Sequence, residues 1–214
     1  MSTMPGSAAA PAAPPAPQES GTRNRTRRAI LDAAASVLGR DRRATLAEIA
    51  KAADVGRSTL HRYFPDRDQL LRAAVLDSLE LIDRAVGDAA TEQGTPLEGV
   101  HRLITAVVGL GDRMLFAYGE QQILDELNEQ GGADDPVERL ILDLIERGQR
   151  EGVLDSGVSA TWIMQVMWAL VYAGAEAARN GTVPRPGVTA QVIRTFEGGV
   201  LAREAGDVTR GAAG

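Results

Sequence analysis

Apolar residues recur three and four positions apart through most of residues 22–203, the spacing of one buried face on a helix. Ile30, Leu31, Ala34, Val37 and Leu38 fall on one stripe and predict a first helix from about Thr22 to Leu38, stopped by Gly39. Thr45 with Glu48 three residues on is a capping-box spacing. It opens a short helix through Ala53, with Ile49 and Ala52–Ala53 inward. Asp54 belongs to the few non-glycine types that tolerate a left-handed turn. A second short helix follows from about Arg57 to Tyr63, and Pro65 forbids its continuation. Asp66 caps the next helix, in which Leu70, Leu71, Ala74, Val75, Leu79, Ile82 and Val86 keep helical spacing to about Ala90.

Gly94, Thr95 and Pro96 reset the chain for a helix from about Leu97 to Leu115, its apolar side built from Val100, Leu103, Ile104, Val107, Val108 and Met114. Gln121–Glu129 carries a weaker helical pattern. Asp135-Pro136 reads as a cap and first residue of a helix to about Arg150. Ser159 caps a strongly apolar helix to about Arg179, which Asn180-Gly181 ends. The last helix spans about Val188 to Arg203, with Val192, Ile193, Phe196 and Val200 aligned. Eight or nine helices and no strand pattern predict an all-α protein.

Charge changes the picture. Residues 22–72 hold twelve Arg or Lys against six Asp or Glu, whereas residues 73–214 hold eleven against twenty-two. A basic segment joined to a larger acidic one suggests that the first part meets a polyanion. A solvated basic face explains the same charge equally well. Residues 1–21 contain five of the ten prolines and six alanines, a composition that cannot offset its ordering entropy, and are expected to be a disordered tail. With no cysteine and only His61 and His101 as imidazoles, disulfides, thiolate nucleophiles and multi-histidine metal sites are excluded. Phosphate-loop, Rossmann and HExxH patterns are absent, so no enzyme, catalytic residue, metal or cofactor is expected. No apolar run approaches the ~18–20 residues of a membrane span, and no secretory leader is visible. A cytoplasmic protein is expected.

The informative stretch runs from Thr45 to Leu71. Two short helices joined by a tight turn, behind an amphipathic helix, meet the requirement of a helix-turn-helix unit. In such a unit the second helix presents its leading residues, here Arg57, Ser58 and Thr59, to the major groove. Phosphate neutralisation by its cations would dominate affinity. The segment resembles the DNA-binding domain of TetR-type transcriptional regulators. The resemblance is carried by Thr45, Ile49-Ala50, Ala53-Asp54-Val55-Gly56, Thr59-Leu60-His61, Tyr63-Phe64 and Asp66-Arg67. It departs from the family pattern at Asp54 (usually Gly), Gly56 (usually Ser), His61 (usually Tyr) and Arg67 (usually Lys).

The resemblance implies an N-terminal three-helix DNA-binding domain and a C-terminal helical bundle for dimerisation and ligand binding. The expected divisions are a tail at 1–21, the DNA-binding domain at 22–68, the regulatory domain at 69–205 and a flexible end at 206–214. It makes Arg57, Ser58 and Arg62 candidates for base or groove contacts. Thr45, His61, Tyr63 and Arg67 become candidates for phosphate contacts, with Thr59 at the boundary. Thr45 serving only as a cap and Tyr63 serving only as packing are the plain alternatives. Arg23, Arg25, Arg27 and Arg28 at the start of the first helix are further cations for phosphate or a minor groove. The implied partners are a double-stranded, palindromic DNA operator, a second copy of the chain and a small-molecule effector, with no membrane partner. Candidate effector-lining residues are His101, Met114, Phe116, Tyr118, Trp162, Met167, Trp168 and Tyr172, although such side chains at helical spacing are more often plain core. The rival reading is an all-helical interaction module whose helix-turn-helix unit does not bind DNA.

Overall fold

The computed structural model of the chain describes residues 21–89, 91–130 and 135–201. Its helices are α1 (Gly21–Arg40), α2 (Leu46–Ala52), α3 (Arg57–Tyr63), α4 (Arg67–Asp88), α5 (Pro96–Val108), α6 (Gly111–Ala117), α7 (Gln121–Gln130), α8 (Pro136–Arg150), α9 (Ala160–Arg179) and α10 (Arg185–Val200). Among the described residues there is no strand, only an isolated antiparallel bridge between Leu154 and Leu201. The fold is all-α, as the periodicity predicts. The tail expected at 1–21 lies outside the described residues except for Gly21, which opens α1. The end expected at 206–214, with Ala90 and Arg203, lies outside them too.

Local chemistry places most helix starts. The amide of Glu48 donates to Thr45 Oγ1 at 3.3 Å and the amide of Thr45 donates back to Glu48 Oε2 at 2.7 Å. Thr95 and Glu98 repeat this reciprocal cap on α5. Asp66 Oδ1 accepts from the Gln69 amide at 2.8 Å to start α4, and Asp135 and Ser159 cap α8 and α9.

Four expectations need correction. Ala52, expected inward on α2, is exposed, and Ala50 is buried beside Ile49 instead. The single helix expected from Leu97 to Leu115 is two helices, α5 and α6, broken at Gly109–Leu110, so the described residues hold ten helices rather than eight or nine. Apolar spacing runs on through the break, which hides it. The cause lies in Gly109 and Gly111: glycine weakens a helix, and a Cβ at Gly111 would stand 2.9 Å from Ala175 Cβ, so α6 sits against α9 where only glycine fits. Gly39 does not stop the first helix, which continues to Arg40. Finally, α10 begins at Arg185 rather than Val188, because Pro184 and Pro186 suit the first turn, and it ends at Val200.

The helices bury two hydrophobic clusters. One joins α1 (Ile30, Leu31, Leu38), α2 (Ile49), α3 (Leu60) and the first half of α4 (Leu70, Val75). The other joins the second half of α4 with α5, α8, α9 and α10. The short helix α6 belongs to both: Met114 and Leu115 enter the second cluster, while Phe116 and Ala117 enter the first. Ile123, Leu124 and Leu127 of α7 pack on the first as well, and Arg72 of α4 holds Glu126 of α7 at 2.6 Å.

Candidate nucleic-acid interface

The turn between α2 and α3 is built as its sequence suggests. Asp54 adopts φ +52, the only positive φ outside glycine among the described residues. Its amide donates to Lys51 O at 3.2 Å and that of Val55 to Ala50 O at 3.0 Å, which closes α2 and swings the chain into α3. Gly56 is the N-cap of α3, in extended conformation and with no side-chain cap. Leu60 is fully buried beneath α3, with Ile49 and Ala50 of α2. That burial orients the helix and leaves Arg57, Ser58 and Arg62 exposed, with Thr59, His61 and Tyr63 half-buried.

Each remaining candidate has a defined local role. Thr45 is exposed, and its hydroxyl is tied to Glu48 Oε2 at 2.8 Å. The Thr45 amide and hydroxyl bonds hold the Glu48 carboxyl below its ordinary 4.5. Tyr63 donates from its hydroxyl to Arg23 O at 3.3 Å, joining α3 to α1, and the Arg62 guanidinium lies 5.8 Å from the centre of its ring. Arg27 stacks on Phe64 at 5.7 Å. His61 Nδ1 stands 3.4 Å from Pro65 O. With Nδ1 donating there, Nε2 is the nitrogen left for a phosphate oxygen, and it donates only in the imidazolium. Arg67 gives two short hydrogen bonds, both 2.6 Å, to Ala44 O and Arg42 O, so it also fastens the α1–α2 loop. A cleft of about 420 Å³ between α1 and α3, lined by Thr22, Arg23, Thr26, Thr59, Arg62 and Tyr63, joins the start of α1 to this surface. The cleft and the loop-fastening role of Arg67 depend on contacts distant in sequence and were not readable from spacing.

The effector candidates do not gather in one place. Met114, Phe116 and Met167 are buried, Phe116 in the cluster beneath the helix-turn-helix unit. Tyr118, Trp162 and Tyr172 are exposed, and Trp168 packs on the edge of the second cluster. His101 alone of the eight lines the groove of about 830 Å³ between α4 and α5, beside Leu81, Ala85, Ala106 and Leu110. Its Nε2 lies 2.8 Å from Glu197 Oε1 on α10. The groove is lined by aliphatic residues together with Arg84, Asp88, Arg102 and Thr105, and holds none of the aromatic or methionine side chains expected, which is why composition pointed elsewhere.

Comparison with known proteins agrees with this geometry. Residues 30–74 match the family model of the bacterial regulatory proteins, tetR family. The chain is 37% identical over 183 residues to the HTH-type transcriptional repressor LfrR of Mycolicibacterium smegmatis, covering 86% of this chain and 94% of that one. It is 29% identical over 141 residues to the HTH-type transcriptional regulator NfxB of Pseudomonas aeruginosa, covering 65% of this chain and 75% of that one. The crystal structure of LfrR in complex with proflavine superposes with a TM-score of 0.64 at 34% identity, over 84% of this chain and 99% of that one. A buried Leu60 that turns Arg57 and Ser58 outward, on a unit matched by motif, family model and full-length relative alike, leads to one conclusion: the chain belongs to the tetR family of bacterial DNA-binding transcriptional regulators.

Proposed function

We propose that this regulator is a repressor that binds a roughly palindromic operator as a homodimer and leaves it when a small-molecule effector binds. One observation carries the DNA contact: Arg57 and Ser58 stand exposed at the leading end of α3, held outward by the burial of Leu60. In this reading residues 22–68 act as the DNA-binding unit and 69–205 as the regulatory and dimerising unit. Arg57, Ser58 and Arg62 meet base edges or groove walls. Thr45, His61, Tyr63 and Arg67 meet phosphates, with Thr59 between the two sets. The dimer face is α9 with α10. Trp162 and Tyr172 of α9 are 56% and 40% exposed, and Ala169 and Ala173 beside them are exposed too. A two-fold pair would then read half-sites about one DNA turn, ~34–36 Å, apart.

The effector reading is supported by the α4–α5 groove, whose size suits a drug-sized molecule. It is also supported by the proflavine bound to the LfrR relative. The protein acts by binding, not catalysis, and works in the cytoplasm where its DNA lies. No helix of the described residues is long and apolar enough to cross a membrane. Fluorescence anisotropy with duplex DNA from upstream of the protein's own gene, at two salt concentrations and with proflavine as the first effector probe, tests the reading. Salt-sensitive binding that survives excess random DNA and weakens with proflavine is the expected result. Binding no tighter than to random DNA would return the chain to the interaction-module class.

A further inference from the structure

One arginine of α6 joins elements that the repressor must hold at a fixed angle. The Arg113 side chain is 12% exposed. Its Nη1 donates to Asp77 Oδ2 at 2.6 Å and to Ser78 Oγ at 3.3 Å, both on α4, and its Nη2 donates to Asp32 on α1. The preceding residue, Asp112, faces elsewhere and accepts from Arg185 Nη2 at 3.1 and 3.0 Å, at the start of α10. Two adjacent residues of one seven-residue helix therefore connect α1 and α4 on one side with α10 on the other.

Packing around them leaves little slack. A Cβ at Gly39 of α1 would stand 3.4 Å from the Asp112 carbonyl oxygen, and Gly111 already abuts Ala175 of α9. Arg179, in the last turn of α9, donates to Gly39 O at 3.0 Å. Close-packed contacts of this kind hold discrete arrangements and do not deform continuously. A guanidinium largely removed from water is costly to leave without its partners, whereas an exposed pair such as Asp112–Arg185 contributes little. Rotation of α1 and α4 away from α6 is therefore opposed at Arg113 as well as by the packing of Phe116 and Ala117 in the first cluster.

We propose that Arg113 is a positioning residue: by joining Asp32 and Asp77 to α6 it fixes the DNA-binding unit against the α9–α10 face and so sets the half-site spacing that the dimer accepts. The inference rests on the homodimer proposed above.

The test uses the full chain and a duplex selected from a random library by the wild-type protein. Three kinds of duplex are compared: that sequence, versions with a base pair or two inserted or removed at its centre, and a single half-site. Arg113→Gln and Asp32→Ala are expected to bind the half-site within about twofold of wild type. Both should bind the full operator about tenfold more weakly, within the coupling range of a buried network, with a flattened preference for spacing. Arg113→Lys, which keeps the charge but not the fork, should fall between. If Arg113→Gln fails to fold, Asp32→Ala decides, because the Asp32 side chain is 57% exposed and its truncation removes the α1 acceptor without opening the core. Folded, dimeric variants with the wild-type spacing preference would overturn the inference alone. A wild-type protein that is monomeric by light scattering at micromolar concentration would overturn the dimer reading, and the inference with it.

Discussion

The two hydrophobic clusters reach stability by different routes. In the first, α2 and α3 have seven residues each, far below the length at which an isolated helix persists, and each anchors through one large side chain, Ile49 or Leu60. Their shape comes from turn chemistry at Thr45, Asp54 and Asp66 and from Phe116, which arrives from α6. In the second, α9 and α10 pack along most of their length, and burial on a long stripe replaces local caps as the main hold. Arg57, Ser58 and Arg62 on α3 are thereby left exposed. The small first cluster depends on Phe116, supplied by α6.

The largest expected effect tests that dependence. Phe116→Ala should cost about 3–5 kcal/mol, and Met167→Ala in the second cluster about 2–5 kcal/mol. Chemical denaturation measures the totals, and hydrogen exchange locates them. Phe116→Ala should loosen α1–α3 first and weaken operator binding, whereas Met167→Ala should loosen α8–α10. Equal loss of protection in both regions from Phe116→Ala would mean that the clusters unfold as one unit.

On α3 and at Arg67, proposed above to meet DNA, the effects are smaller and separable. Arg57→Ala should reduce discrimination between operator and random DNA by about 1–3 kcal/mol. Arg67→Ala should weaken every sequence alike and lower the salt slope by about one. Because Arg67 also holds Arg42 O and Ala44 O, this variant should speed amide exchange in the α1–α2 loop, which Arg57→Ala should leave alone. Loss confined to one base position would remove Arg67 from the phosphate set.

The contrast explains what was legible in the sequence. The bounds of α3 and the left-handed Asp54 follow from residues a few positions apart, so spacing and turn chemistry reveal them. The break between α5 and α6 was hidden because Val107 and Met114 continue one apolar stripe across it; the Gly109 and Gly111 pair was the available signal. The α4–α5 groove and the Asp32–Arg113–Asp77 junction unite residues far apart in the chain, and nothing in the pattern of a single helix announces them.

Gly56→Ser sharpens the picture on a finer scale. Gly56 has φ −67 and ψ 147, and a Cβ there would meet nothing closer than 3.9 Å, so serine fits without strain. The added cap should stabilise α3 by a few tenths of a kcal/mol, measurable as a shift in denaturation midpoint. No gain would show that Ser58 or solvent already satisfies the first amides.

The smallest effect is a difference of sign with pH. In the first region, bonds from the Thr45 amide and hydroxyl hold the Glu48 carboxyl below 4.5. In the second half of α4, partial burial first, and then the charges of Asp135 and Glu80, push Asp83 above 3.8. A lowered carboxyl contributes stability that is complete above its unfolded value and is lost as pH falls through its folded value. A raised one does the reverse: its ionisation costs stability above the folded value, and acid removes that cost as pH falls toward 3.8. Glu48→Ala should therefore destabilise at neutral pH and do so less in acid, below 4.5. Asp83→Asn should stabilise at neutral pH, with the gain fading as pH approaches 3.8. Denaturation midpoints across pH 3 to 7 check both signs. If the two variants shift stability in the same direction at neutral pH, the capping box and the acidic side of α4 do not differ in the way their surroundings require.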